Sequence, residues 1–255
     1  RASGLKSQFG TMGKPFNAGT AAANGVEAAT LAGLGFTASG GAFAGPQSFL
    51  VTHNSSEDRQ KKLLNWPLDE FFFSSVSHKL YACCHGTHAM IEALLEFVEG
   101  GSLTEDNFEM IEVYVGSRWL NVCDIKKPRT GLQIKFSYVF LAAMVLKQEN
   151  LSAYETFVDV ACNDQGLLAS AKKIKIIGDD QVADSAVRIA IRMKDGTEQE
   201  NSFDLLEPLD PVLLSERLKR KARSLIGYER ADELWNLVNG LDNLSAAQIA
   251  DFLKT

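Results

Sequence analysis

Ala186-Val187-Arg188-Ile189-Ala190-Ile191-Arg192-Met193-Lys194-Asp195-Gly196-Thr197 decides the fold class. Its first eight residues have the composition of a strand, and the Asp195-Gly196 pair is the turn signal that joins antiparallel strands. Upstream of it, 109–116 alternates, with Ile111, Val113 and Val115 on one face, and 173–177 again has strand composition. The apolar run 136–146 between them reads as a helix. Residues 77–210 therefore read as an α+β unit with a small antiparallel sheet.

On both sides of that unit the spacing is helical. After Pro208 and Pro211, helices are expected over 212–226 ending at Gly227, over 229–239 ending at Gly240, and over 245–254. The last opens with a capping box, Ser245 and Gln248. Nearer the start, 18–34 follows helical spacing through Val26, Ala29, Leu31 and Leu34 before Gly35, and Pro15 suits a first turn. Its many Ala and Gly residues predict a tightly packed interior helix. Residues 36–65, with the charged cluster at 57–62, read as a loop and a short exposed helix. From Phe71, Phe72 and Phe73 the chain runs through Val76 into a helix over 89–99, closed by Gly100-Gly101. The expected architecture is α+β. Residues 1–76 form part of an all-helical domain, 77–210 a smaller α+β lid domain inserted into it, and 211–255 helices returning to it.

At 255 residues, 45% hydrophobic and 23% charged, the composition is that of a soluble globular chain with a real core. A net charge of −6 argues against a nucleic-acid partner. No stretch approaches the roughly 20 apolar residues of a membrane helix. Cys83, Cys84, Cys123 and Cys162 form no CxxC pair and read as buried reduced thiols, so a cytoplasmic protein is expected. The chain opens on Arg1 and enters a motif almost at once. A processed or truncated product, or one half of a split protein, is the expectation.

Two local settings look built to hold a small anion. Phe9-Gly10-Thr11-Met12-Gly13-Lys14-Pro15-Phe16-Asn17-Ala18-Gly19 places a lysine among glycines at a helix start. A solvated lysine is the plain reading. A cation there opposes the helix dipole, however, which makes sense if an anion binds between the two. Leu80-Tyr81-Ala82-Cys83-Cys84-His85-Gly86-Thr87-His88-Ala89 brings two histidines to the start of another helix. Either could be an inert core residue. Metal binding is the sharper alternative, but no HExxH or zinc spacing accompanies them, so no metal is expected. General acid–base work leads for His88, since imidazole titrates near neutral pH. A third segment, Thr130-Gly131-Leu132-Gln133-Ile134-Lys135-Phe136-Ser137, repeats the cation-before-helix arrangement at Lys135. Ser137 reads more readily as a helix cap than as a nucleophile. The basic stretch 219–223 reads as a solvated helix face.

These segments also resemble a known family. Residues 10–36 look like the "MxKPxxxGxAAxxGxxAAxLAxxGFT" block of the MmgE/PrpD family, 81–94 its "YxCCxxTHAxIDAxL" block, and 130–137 its "TGLEAKFS" block. The blocks occur in the same order, and the chain resembles the second half of a typical member. The resemblance implies an enzyme like 2-methylcitrate dehydratase, cis-aconitate decarboxylase or iminodisuccinate epimerase. Such enzymes use no metal or cofactor, are commonly dimers, and work in a cleft between a helical and an α+β domain. By matching motif, Lys14 and His88 are similar to catalytic residues of the family, and His85 falls where some dehydratases carry theirs. Lys135, Ser137 and Asn17 are expected to contact substrate. Asn17 departs from the pattern, standing where several members have a histidine, and the helices that supply an aspartate and a histidine to the family's cleft are absent. The expected partners are a small polycarboxylate and either a second copy or a complementary helical chain. The expected function is a lyase or isomerase that abstracts a proton beside a carboxylate. A non-catalytic fragment or partner-binding half is the alternative, and a simple carboxylate-binding module a third possibility.

Overall fold

A computed structural model describes residues 4–43, 45–53, 56 and 76–254. The charged cluster at 57–62 and the run 71–73 lie outside the described residues. The principal helices are α1 (Gly13–Gly33), α2 (His88–Glu99), α3 (Tyr138–Leu146), α4 (Gln165–Ala171), α5 (Pro211–Ile226), α6 (Tyr228–Asn239) and α7 (Ala246–Leu253). The strands are β1 (Phe108–Val115), β2 (Ile174–Gly178), β3 (Ala186–Met193) and β4 (Glu198–Asp204). The chain divides into two compact units. One holds residues 1–5 and 13–78, the other 6–12 and 79–255.

In the larger unit the strands line up as β2-β1-β3-β4. The Asp-Gly signal makes the turn it promised: β3 and β4 pair antiparallel, Gly196 has φ 86°, and Asp195 Oδ1 accepts from Thr197 N at 2.9 Å. The sheet is not purely antiparallel as expected, because β1 and β2 run parallel, with Ile111 opposite Ile174. Strand composition carries no direction. The connection from 115 to 174 includes α3 and α4, the crossover that parallel neighbours need.

One sheet face is apolar, with Ile111, Val113, Val115, Val187, Ile189 and Ile191 buried. Helices α2 and α3 pack on this sheet. All nine residues of α3 are buried, which explains why its sequence has no polar stripe. Burying each large aliphatic side chain contributes about 1.5–3 kcal/mol. The other face is polar and partly exposed, with Arg188 stacked 3.7 Å from the Tyr114 ring.

The C-terminal helices begin and end as read. Asp210 caps α5 ahead of Pro211, Gly227 ends it at φ 80°, and Ser245 and Gln248 form the capping box. These helices, expected to return to the helical body, fall in the same compact unit as the sheet.

In the smaller unit, α1 has Pro15 in its first turn, and Gly35 ends it at φ 86°. No residue of α1 is buried, contrary to the expected interior helix. Ala and Gly permit close approach but supply little apolar area to draw a helix into a core. Among the described residues, no helix is long and apolar enough to cross a membrane.

Candidate active site

The segment 79–88 is fixed from both sides before it enters α2. Ala82 N donates to Leu151 O at 2.8 Å, and Cys84 N to Lys135 O at 3.0 Å. Tyr138 Oη donates to Gly86 O at 2.7 Å. The second and third sequence blocks are therefore neighbours in space. Thr87 Oγ1 closes the turn by donating to Cys84 O at 2.7 Å, and His88 opens α2. Gly131 begins a short helix pressed so close to Phe157 that a Cβ would strike its backbone carbonyl.

His88 is buried, 1% exposed. Its ring stands edge-on to Tyr81, centroids 5.1 Å apart, and 5.0 Å from the half-buried ring of His85. Burial first, then the charges of His85, Lys79 and Lys221, lower its pKa from 6.5 to about 2, against a hydrogen bond to the Cys83 backbone that favours protonation. A bond with that sign has the imidazole as donor. The other nitrogen, Nε2, is buried with no hydrogen-bond partner among the described residues. The ring is thus neutral, with a lone pair on Nε2. His85 is lowered as well, by burial and by Lys79.

Lysines from three segments stand in or near 79–88: Lys79 and Lys221 bear on His88, and Lys135 bears on Cys83. Lys135 Nζ sits 4.1 Å from the Tyr154 ring centroid and 4.8 Å from that of Phe157, and burial lowers its pKa. Lys79 is exposed. Lys221 is half-buried and donates to the Lys79 carbonyl; burial, then Lys79, lower its pKa. The reading of 219–223 as a solvated face is therefore corrected. Leu214, Arg217, Leu218 and Lys221 share the side of α5 turned toward the core, at helical spacing. Beside the lysines, burial pushes the Cys83 thiol up to about 12, so it is an inert thiol, and its Sγ lies 3.3 Å from Thr87 Oγ1. All four cysteines are buried thiols.

Behind His88 lies a buried polar network that sequence reasoning missed. Tyr81 Oη donates to Glu92 Oε1 at 2.7 Å, while Arg217 reaches Glu92 Oε1 at 2.6 Å and Oε2 at 3.1 Å. Arg217 Nη2 also donates to Tyr81 Oη at 2.9 Å. A carboxylate one turn below His88 on the buried side of α2 was the available signal, since such a charge demands a cation. The three residues line a cavity of about 320 Å³, in which Glu96, Glu99 and Glu149 outnumber Arg220. That lining does not suit an anion.

The larger unit thus brings together His85, His88, Lys135 and Ser137. Ser137 is fully buried and caps α3, its Oγ accepting from Phe140 N at 3.4 Å. Lys14, exposed, and Asn17, half-buried, lie near the start of α1 in the other unit.

The neutral His88 predicts an acid-sensitive fold. The unfolded chain takes up a proton near 6.5 and the folded chain only near about 2, so unfolding binds protons throughout that window. Stability is full above 6.5 and is lost as the pH falls toward 2. Between about pH 7 and about pH 5, the wild type is expected to lose about 2 kcal/mol more than His88→Asn. Urea titrations at the two pH values measure it, and equal losses would refute the buried neutral ring.

A helix-backed mixed sheet, with buried imidazole and half-buried ammonium groups gathered at the start of α2, defines an α+β domain with a cationic candidate active site. The chain belongs to the MmgE/PrpD family: residues 81–241, well over half of it, match the model of the MmgE/PrpD C-terminal domain. No curated protein matches it.

Proposed function

We propose that the protein is a lyase or isomerase of the MmgE/PrpD type, acting on a small di- or tricarboxylate by moving a proton at the carbon next to a carboxylate. The observation that carries this reading is the bare, buried Nε2 of His88 beside lysines that have no carboxylate partner among the described residues. In this reading His88 Nε2 takes the proton, with His85 second in line. Lys135 holds a substrate carboxylate and offsets the negative charge that builds on it in a partly dry site. For Lys14 and Asn17, which lie in the other unit, the roles of catalytic cation and substrate contact rest on the family motif alone. Dehydration, epimerisation and decarboxylation all build that charge, so the three reactions share this machinery.

Turnover by the purified protein, assayed on 2-methylcitrate, cis-aconitate and iminodisuccinate, tests the reading. Activity on any of them, reduced by Lys135→Ala, supports it. A folded protein inert toward all three supports the second reading, a non-catalytic partner-binding half. That reading is favoured by exposed Phe16, Val26, Leu34 and Phe36 on and after α1, the kind of surface that a second copy or a helical partner covers. Mass in solution distinguishes a monomer from either assembly.

A further inference from the structure

We infer that Lys221, delivered by the C-terminal helix α5, is a carboxylate-binding residue of this site. The inference rests on the active-site reading above and extends it beyond the three sequence blocks.

Lys221 stands one turn beyond Arg217 on the same side of α5. Arg217 anchors that side to α2 through Glu92, and Lys221 anchors it to the His88 segment through the Lys79 carbonyl. Its ammonium is therefore held near the rings by a fixed helix rather than by a loop. Lys79 is the common neighbour, and its charge bears on His85, His88, Lys135 and Lys221.

Several other cations of the protein are ion-paired. Lys147 meets Asp164 at 2.7 Å, Lys126 meets Asp124 at 2.6 Å, and Arg217 is spent on Glu92. Lys79, Lys135 and Lys221 form no such ion pair among the described residues. Like charges brought together without a counter-charge destabilise one another, and two of the three are also partly desolvated. Nearby, the buried Nε2 of His88 has no partner either. An anionic ligand with several carboxylates supplies the missing counter-charge, and a hydroxyl on the same ligand, as citrate carries, can donate to Nε2. Ammonium groups act here as compact point charges, which suits separate carboxylates better than one planar bidentate group.

Citrate binding to the full purified chain, measured by isothermal titration calorimetry, tests the assignment. Lys221→Gln is expected to weaken binding about tenfold, the loss of a charged hydrogen bond. Lys194→Gln, an exposed control with the same charge change, should shift it less than about twofold. Glutamine at 221 can still donate to the Lys79 carbonyl, so the change does not threaten the fold. A Lys221→Gln variant that binds within about twofold of wild type overturns the assignment while the polycarboxylate reading stands. Wild-type protein that binds no citrate sinks that reading and this inference together.

Discussion

His88→Asn is expected to lower turnover about 10²- to 10⁴-fold, with KM changed far less, because it removes a proton-transfer group and not a binding charge. Asparagine is the informative replacement. Its amide can still donate to the Cys83 backbone, as the imidazole does, while nothing replaces the bare Nε2. The ring of the unliganded protein is a weak base, held down first by burial and then by neighbouring cations. Substrate carboxylates set against those cations favour the protonated ring and raise its proton affinity. The acid limb of kcat, which reports the complex, should therefore lie at higher pH than that of kcat/KM, which reports the free enzyme. Steady-state kinetics across pH measure both. A His88→Asn variant as fast as wild type would remove His88 from the mechanism.

Arg217→Met carries the largest expected cost in stability, about 3–5 kcal/mol, because it strands the Glu92 carboxylate in a buried setting. The Arg217 and Glu92 side chains are only 15% and 10% exposed, and Tyr81 completes the network. The comparison that isolates the cause is the double variant Arg217→Met with Glu92→Leu. With both charges gone, nothing is left unpaired, so most of the lost stability should return. Urea unfolding of the four proteins closes the cycle. A single variant within about 1 kcal/mol of wild type would mean that water reaches Glu92 and the network is not buried.

Much of the fold was legible in local signals. Asp195-Gly196 marked a hairpin, Gly35, Gly100 and Gly227 marked helix ends, and Ser245 with Gln248 marked a capped start, because each depends on backbone geometry within a few residues. The candidate site was legible in part. His85, His88 and Lys135 stood out by their position at helix starts, and they do share one unit. Tyr81, Glu92 and Arg217 did not stand out, since none sits in an unusual local setting. Lys221 was hidden among charged neighbours, and only the side of α5 turned toward Leu214 and Leu218 separates it from a solvated lysine.

Residue order alone was enough for the α+β class, most helix ends and the position of His85 and His88 at a helix start, because period, turn chemistry and capping act over short range. Long-range packing was needed to set β2 parallel to β1, and to turn Arg217 and Lys221 of α5 inward. The same packing keeps His88 neutral. Strand direction, burial and electrostatic environment depend on residues distant along the chain, which local pattern does not record.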